Sequence, residues 1–410
     1  MGWMETCAMD ERMRFALAAE AGEESMAALC RHFGISRRVG YKWLARYEAC
    51  GVAGLAERSR APLNHPREVA AEIAERCLGV RRAHPSWGPV KVRAWLLRQG
   101  ADRRWPAAST IGALFEREGL TVKRRMRRRS PPAGAPFAAC RTANDSWCID
   151  FKGWFLTGDG SRCEPLTLCD AHSRYLLRCQ ALASNDTEHV WPVLDAAFRE
   201  YGLPRVLRSD NGPPFASIGA GALSRLAVRV LKAGVRPERI APGKPQQNGR
   251  LERLHLTLLQ DTAQPPARSL RQQLARFRAF QRLYNEERPH QALGNTPPAD
   301  HYAPSPRRWD GVLRAPEYPA GHSVRRVRHN GEIKWRGTTL YINEALAGEP
   351  IGIEESDEGL FIVRYGLVEL GSIDPRADRL RKPIPRARGF MDNPDGLSTT
   401  PPAQQPPQAP

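Results

Sequence analysis

Three acidic residues hold the chemistry this chain could perform: Asp150 in Trp147-Cys-Ile-Asp-Phe-Lys152, Asp210 in Leu207-Arg-Ser-Asp-Asn-Gly212, and Glu252 in Pro245-Gln-Gln-Asn-Gly-Arg-Leu-Glu-Arg253. Asp150 interrupts a strand-like apolar and aromatic run, where a carboxylate is costly unless a partner or a metal compensates it. Oxygen-only ligands suit a hard cation, Mg²⁺ or Mn²⁺ as its substitute, and disfavour zinc. Two such ions roughly 3.5 to 4 Å apart would activate an attacking hydroxyl and stabilise a leaving oxygen, which is how phosphodiesters are broken and joined. Taken singly each acid has a plainer reading, since Asp-Asn-Gly is a common turn and a helix glutamate is commonly solvated. The three together with a basic front end reverse that balance.

The elements that must position these acids are legible as periodicity. Trp147 to Phe155, Pro165 to Cys169 and Tyr175 to Ala181 read as three strands of an antiparallel meander, with Cys148, Asp150 and Lys152 on one face and Ile149 and Phe151 on the other. A helix over Thr187 to Tyr201 follows, then a short strand from Val206 to Arg208 that ends near Asp210. This is a mixed α/β core. Asn248 can cap a helix on which Leu251, Leu254, Leu258 and Leu259 face inward, and Glu252 then shares an edge with Asn248 and His255. A further helical stripe, Leu270, Leu274, Phe277, Phe280 and Leu283, reads as core packing.

Upstream, Ser25 and Ser36 each stand where a helix N-cap belongs, with Phe33-Gly-Ile-Ser36 as the turn between two helices. In this helix-turn-helix pattern the second helix turns Arg37, Arg38, Tyr41 and Lys42 away from its apolar stripe, where base edges and phosphates could be met. A second helical unit follows, with helices over Glu68 to Cys77, from Pro89, and over Pro106 to Glu118, and with Ser109-Thr-Ile111 on a second recognition helix. Arg103 and Arg104, then Lys123, Arg124, Arg125, Arg127, Arg128 and Arg129, add further phosphate contacts, and the last run leads into a flexible Pro-rich link. Near the C-terminus, short strand-like runs between 318 and 372, one of them after an Asn330-Gly331 hairpin turn, predict a small barrel. The tail beyond Pro383 lacks periodicity and reads as disordered.

With 410 residues and a net charge of +18, the chain has room for several domains and is strongly basic. Residues 1 to 135 hold 25 Lys/Arg against 14 Asp/Glu, so +11 lies in the first third. That block calls for a polyanion, and nucleic acid answers better than a membrane surface, since no amphipathic basic helix, spanning run or signal sequence accompanies it. The nine cysteines are scattered and form no Cys-x-x-Cys pair, which argues against a disulfide framework or a zinc module and for a reducing compartment.

Asp150 in its Trp-x-x-Asp-Phe setting, Ser209-Asp-Asn-Gly212, Pro245-x-x-Asn-Gly-x-x-Glu-Arg253 and Tyr284-Asn-x-x-Arg-Pro-His-x-Ala-Leu293, in that order, resemble the retroviral-integrase-type core of a bacterial insertion-sequence transposase. Met26 to Tyr47 is similar to that family's N-terminal helix-turn-helix, and the resemblance covers roughly residues 3 to 310. It implies an α/β RNase H-like catalytic core, and with the readings above the chain is expected to be multidomain: helix-turn-helix domains at 1–60 and 61–122, a basic Pro-rich linker at 123–142, the catalytic core at 143–310, a small β-barrel at 318–372 and a disordered tail at 383–410. It also implies Asp150, Asp210 and Glu252 as a DDE-type catalytic and metal-binding triad, with Asn211, Gly212, Asn248 and Arg253 supporting it. Its cofactor would be Mg²⁺ or Mn²⁺ in a two-ion site. Its partners would be double-stranded DNA, both terminal inverted repeats and target, and further copies of the chain in a synaptic complex, in a cytoplasmic, nucleoid-associated setting with no membrane. One departure stands out: 41 residues separate Asp210 from Glu252, more than that family usually has, and Ala216 to Ala222 is the expected site of the extra length. Two other readings stay open: a DNA-binding regulator that keeps the fold without catalysis, and a nuclease that only hydrolyses.

Overall fold

The structure is a computed structural model that describes residues 7–58, 69–100, 104–121, 140–240, 249–356, 359–374 and 379–381. Arg103, the basic run 123–129, Asn248 and the tail from 383 lie outside the described residues. The chain divides into two compact units, Met1–Val69 and Ala70–Pro410.

The first unit is three helices, α1 (Ala8–Ala21), α2 (Met26–His32) and α3 (Arg37–Cys50). Both expected caps form: the Ser25 hydroxyl accepts from the Ala28 N–H and the Ser36 hydroxyl from the Val39 N–H, at 3.4 Å each. Phe15, Leu29 and Cys30 form one small core and Ala16, Trp43 and Leu55 another. Gly40 on α3 lets these helices pack closely, since a Cβ there would stand 2.6 Å from the Cys30 sulfur and 2.9 Å from Phe15.

The second unit opens with α4 (Ala71–Ala83), α5 (Pro89–Gln99, with Pro89 in its first turn) and α6 (Ala108–Arg117), packed around Trp87, Val92, Leu96, Ile111 and Phe115. Ile111 is therefore core, and only Ser109 and Thr110 of that segment face outward. Leu283 of the following core region packs against this cluster, and Arg98 reaches Asp300 at 2.6 Å.

The central sheet contains β1 (Ser146–Phe151), β2 (Phe155–Leu156), β3 (Arg162–Asp170), β4 (Leu176–Leu182), β5 (Val206–Ser209) and β6 (Arg236–Arg239). The meander β1–β3–β4 is antiparallel, as the periodicity predicts, while β5 and β6 add to β1 in parallel. The first expected strand stops earlier than Phe155, because Gly153 at φ +91° turns the chain and leaves β2 as a separate piece beside β3. α7 (Thr187–Tyr201) covers one face through Val190, Leu194, Ala197 and Phe198, against Ile149, Leu166, Leu168 and Leu207. α9 (Gly249–Thr262) and α10 (Leu270–Arg282) cover the other through Leu251, Leu254, Leu258, Phe277 and Phe280, against Cys148, Cys163, Cys169 and Cys179. The one-residue alternation of β1 thus sends its neighbours to two different cores. At β4, Gln281 donates to the Leu176 and Leu177 carbonyls at 2.9 Å, and Asn285 pairs with both backbone groups of Leu176. Those amides cover part of the outer edge of the sheet.

α8 (Arg225–Lys232) joins β5 to β6 and is apolar on two sides. Leu226 and Val230 enter the core under α7, whereas Ala227, Val228 and Leu231 meet a C-terminal sheet. That sheet comprises β7 (Ser323–Arg326), β10 (Pro350–Glu355), β11 (Phe361–Tyr365), β12 (Val368–Asp374) and β13 (Arg379–Arg381) in the order β13-β12-β11-β10-β7, and β8 (Glu332–Trp335) pairs with β9 (Thr338–Tyr341) as a separate hairpin. A closed barrel is not formed: among the described residues no ladder joins β7 to β13. The expected Asn330–Gly331 turn is present, but it does not pair β7 with β8. The Gly331 carbonyl instead accepts from the Ile342 and Asn343 N–H groups, which folds the turn onto the segment after β9.

The long segment between Asp210 and Glu252 has a structural use. Its 216–223 stretch closes on itself through an Ala216–Leu223 bridge and carries Ala220 and Leu223 into the core of the C-terminal sheet. Asn343, 3% exposed, donates to the Ala220 and Leu223 carbonyls at 3.1 and 3.0 Å and accepts from the Ala345 N–H at 2.9 Å. Asn343→Ala orphans two buried carbonyls and one N–H, so urea denaturation is expected to show a loss of about 2–3 kcal/mol in unfolding free energy. A loss under half a kcal/mol, roughly the surface-substitution range, would remove Asn343 as the tie.

Candidate active site

Asp150 sits near the end of β1, opposite Thr167 of β3, and Asp210 follows the last residue of β5, the parallel neighbour of β1. Adjacent parallel strands that end together bring their terminal side chains to one crevice. Burial first, and the Asp210 carboxylate second, push the Asp150 carboxyl up to about 7, with Glu252 adding a smaller contribution. Burial also raises Asp210, opposed by its bond to the Gly212 backbone. The second oxygen of that carboxylate, Oδ1, is buried without a hydrogen-bond partner among the described residues.

The turn after β5 is built around this carboxylate. Gly212 has no side chain because a Cβ there would lie 3.1 Å from Asp210 Oδ2. Asn211 donates to the Ile240 carbonyl at 2.9 Å, which ties the turn to the end of β6. Glu238, the other acid between Asp210 and Glu252, is engaged with Arg208 across the β5–β6 ladder.

Glu252 lies in the first turn of α9, and it and Arg253 are exposed. What fixes that helix to the acidic crevice is His255, one turn on and 4% exposed. Its Nε2 lies 2.7 Å from the Thr167 hydroxyl, which itself donates to the Asp150 carbonyl at 3.3 Å. The hydroxyl proton is thereby used, so Nε2 carries the histidine proton and Nδ1 is bare, 4.0 Å from Asp150 Oδ2. Burial, then the charge of Lys152, pushes His255 down to about 4, so this contact is between a neutral imidazole and the carboxyl and not an ion pair at neutral pH. Sequence reading placed His255 on the right edge of α9 but gave it no role, since its partner is 88 residues away.

The structure therefore brings Asp150 and Asp210 together and sets Glu252 close enough to act on Asp150 by its charge. Among the described residues no three His, Cys, Asp or Glu side chains converge tightly enough to cage an ion. The pair still fits a hard cation: two repelling carboxylates, oxygen donors only, and one buried oxygen in need of a partner. Of the residues read as DNA contacts, Arg37, Arg38, Tyr41 and Lys42 are exposed on α3 and Arg104 is exposed ahead of α6. Lys42 is partly committed, its ammonium standing 4.5 Å over the Trp43 ring, which also carries Arg12 at 3.9 Å.

The raised carboxyl has a direct consequence for stability. Between its ordinary value of 3.8 and about 7, folded Asp150 holds a proton that the unfolded chain has lost, so stability falls as pH rises through that window. Asp150→Asn removes the dependence. In metal-free buffer the variant is expected to match the parent near the bottom of the window and to exceed it by about 1–3 kcal/mol above its top, read by chemical denaturation. A variant equally or less stable at the upper end would show that Asp150 is not held against repulsion.

Comparison with known proteins agrees with this layout. Two models described as integrase core domain match residues 141–245 and 233–298, a helix-turn-helix domain model matches 11–62, and a homeodomain-like domain model matches 39–115. Residues 322–380 match the C-terminal domain of the IS481 family transposase. The chain is similar to the insertion element IS476 uncharacterized 39.2 kDa protein of Xanthomonas euvesicatoria, 25% identical over 70% of this chain and 78% of that one. It is also similar to the insertion element IS407 uncharacterized 31.7 kDa protein of Burkholderia multivorans, 28% identical over 63% of this chain and 91% of that one. Among solved structures it is similar to the HTLV-2 integrase catalytic core domain in complex with magnesium, 14% identical over 39% of this chain and 97% of that one, with a TM-score of 0.29. No helix among the described residues is long and apolar enough to cross a membrane.

Proposed function

We propose, from the premise that this chain is a relative of bacterial insertion-element proteins with a retroviral-integrase-type core, that it binds the ends of an insertion sequence and catalyses DNA cleavage and strand transfer that depends on a divalent cation. The observation that carries this reading is the Asp150–Asp210 pair, two carboxylates held at the ends of parallel strands, where burial and then the Asp210 charge destabilise the ionised form of Asp150 and burial raises Asp210. Asp150, Asp210 and Glu252 are its acidic triad. The choice of Glu252 is supported by Glu238 being occupied with Arg208 and by the His255–Thr167 bond that anchors α9 beside Asp150.

Asp150 and Asp210 would hold the cation between them, with Glu252 completing the set from α9, and Mg²⁺ is the ion that these oxygen donors fit best, with Mn²⁺ as substitute and a second ion as the family's usual complement. When bound, such a cation supplies positive charge that lowers the cost of ionising an attacking hydroxyl and of releasing a charged oxygen. The chain's own residues do the positioning. Gly212 and Asn211 fix the Asp210 carboxylate, Thr167 and His255 fix α9, and the neutral imidazole adds no charge to compete with the cation.

The remaining domains divide the labour. Helical regions 1–60 and 61–122 grip the inverted repeats, through Arg37, Arg38, Tyr41 and Lys42 on α3 and through Arg103 and Arg104 ahead of α6. The basic linker 123–142 follows the phosphate backbone, the core 143–310 cuts and joins, and the sheet domain 318–372 adds contacts. Joining two ends requires at least two copies of the chain at the DNA, in the bacterial cytoplasm where the nucleoid lies.

The test is incubation of the full chain with labelled duplex carrying the element's terminal repeats, Mg²⁺ and a target plasmid. Strand-joined product is expected from the parent, and Asp150→Asn, Asp210→Asn and Glu252→Gln are each expected to lower it by about two orders of magnitude or more. Undiminished joining in the Glu252 variant would remove it from the triad. Hydrolysis without joining would make the protein a nuclease, and specific binding without cleavage under any metal would make it a regulator.

A further inference from the structure

The motif Tyr284-Asn-x-x-Arg-Pro-His290 is not used by the acidic site. Asn285 is spent on the edge of the sheet, but Arg288 is directed elsewhere. Pro289 disfavours a helical backbone at the residue before it, so the helical run ends there in a wide turn. The Arg288 N–H bonds to the Leu283 carbonyl, five residues back, at 2.8 Å, and Arg288 itself is extended. That turn meets the second helical region. Leu283 packs against the Trp87 core of α4 to α6. Arg288 is 6% exposed; its Nη1 donates to the Ser86 hydroxyl at 3.1 Å and stands 3.6 Å from Oδ2 of Asp261, in the last turn of α9. The Ser86 hydroxyl reaches the same Oδ2 at 3.4 Å, so side chains of three chain segments close into one triangle.

Each corner of that triangle is held from behind. Ser86 belongs to the turn between α4 and α5, which Arg81 of α4 braces by donating to the Pro85 carbonyl, to the Trp87 carbonyl at 2.7 Å and to the Leu120 carbonyl beyond α6 at 2.8 Å. Within the turn, His84 stacks on the fully buried Trp87 at 4.1 Å between ring centroids. A shift of α4 or of the end of α6 therefore carries Ser86 with it. Asp261 shares α9 with Glu252, which lies about 13–14 Å away along the same helix axis. The leucines that bury α9 are non-directional in what they demand. Polar contacts must therefore fix how the helix lies, His255 on Thr167 near its middle and Asp261 on Arg288 and Ser86 at its far end.

We propose that Arg288 is a positioning residue: through Ser86 and Asp261 it braces α9 against the second helical region, so that DNA held by α4 to α6 sets where Glu252 stands relative to Asp150 and Asp210. This rests on the function proposed above, which makes the helical region a DNA-gripping element and Glu252 the third acid. In this role Arg288 touches neither DNA nor the reacting atoms. Its charge is matched by Asp261 whether or not DNA is present, so the brace stands in the free protein, and loading of the helical region is felt at the end of α9 without any DNA contact there.

The test uses the full chain. Ser86→Ala is the principal variant, because it cuts the brace on the helical side and leaves the Arg288–Asp261 pair in place; Arg288→Met is the stronger one, and Ser86→Ala decides alone if that chain does not fold. Circular-dichroism melts set a temperature at which the variants are folded, and two measurements are made there. In the first, hydrogen exchange at the backbone amides of α9 is followed with and without a saturating duplex that carries the element's terminal repeats. The duplex is expected to slow exchange in the last turn of α9 at least about fivefold in the parent, and this difference is expected to vanish in both variants. A merely structural role would loosen α9 with and without duplex alike and leave the difference standing. In the second, strand joining is followed against duplex concentration. In Arg288→Met kcat is expected to fall by about one to two orders of magnitude, and less in Ser86→Ala, while KM for the duplex stays near the parent's. Duplex-induced protection that is equal in parent and Ser86→Ala, or absent from the parent, overturns the brace. Protection that depends on Ser86 in a parent that joins no DNA upholds the brace and removes the transposase reading. Joining at the parental kcat in both variants keeps that reading and overturns Arg288 as a positioning residue.

Discussion

The structure depends on a repulsion. Asp150 and Asp210 stand at the ends of two parallel strands whose register is set by backbone bonds, so the ladder between β1 and β5 keeps the two backbone positions side by side. Partial burial weakens the screening that water would give the two carboxylates. What surrounds the pair restrains it further: a glycine where any side chain would strike Asp210, an asparagine that staples the turn to β6, and a histidine–threonine bond that presses α9 against β3. A fold that keeps two acids in this position without a partner loses stability for it, which is the usual physical signature of a site shaped for an absent charge.

The arrangement of the second unit follows from where the chain needs rigidity around that crevice. α8 is apolar on two sides, and through it and the 216–223 loop the C-terminal sheet becomes an extension of the core. The long segment between Asp210 and Glu252 is therefore not a passive insertion, because Ala220 and Leu223 are core residues of the sheet domain and Asn343 is bonded to their carbonyls. On the other side, α4 to α6 meet the core through Leu283, Arg98 and Arg288. The helix that bears Glu252 thus lies between the sheet and the second helical region, and both can influence where that carboxylate stands.

Much of this was legible in the sequence wherever the signal is local. The two serine caps, Pro89 at the start of α5, the bounds of α7 and the meander of β1, β3 and β4 all follow from residues a few positions apart. So does the separation of Cys148 and Asp150 from Ile149 and Phe151, which is only the pleat of a strand. Apart from the early end of β1 at Gly153, the misses are long-range. His255 reveals its place only through Thr167, and the two-sided packing of α8 requires a sheet that begins nearly a hundred residues later. The Asn330–Gly331 turn was recognised, and Arg328 and Glu332 close it locally, but its docking on the segment after β9 was not legible. Ser109-Thr-Ile111 reads as one segment of a second recognition helix, but within it Ile111 is core because α4 and α5 close over it.

The claim at the centre of all this is that Asp150 gives up a proton to a cation it shares with Asp210. Calorimetric titration of the full chain with Mn²⁺, repeated below neutrality in two buffers of different ionisation enthalpy, measures both the binding and the protons released. The expected result is binding accompanied by release of a substantial fraction of one proton, falling away as the pH passes above 7, with both binding and release abolished in Asp150→Asn. Equal Mn²⁺ affinity in Asp150→Asn, or binding with no release of protons below neutrality, would contradict it.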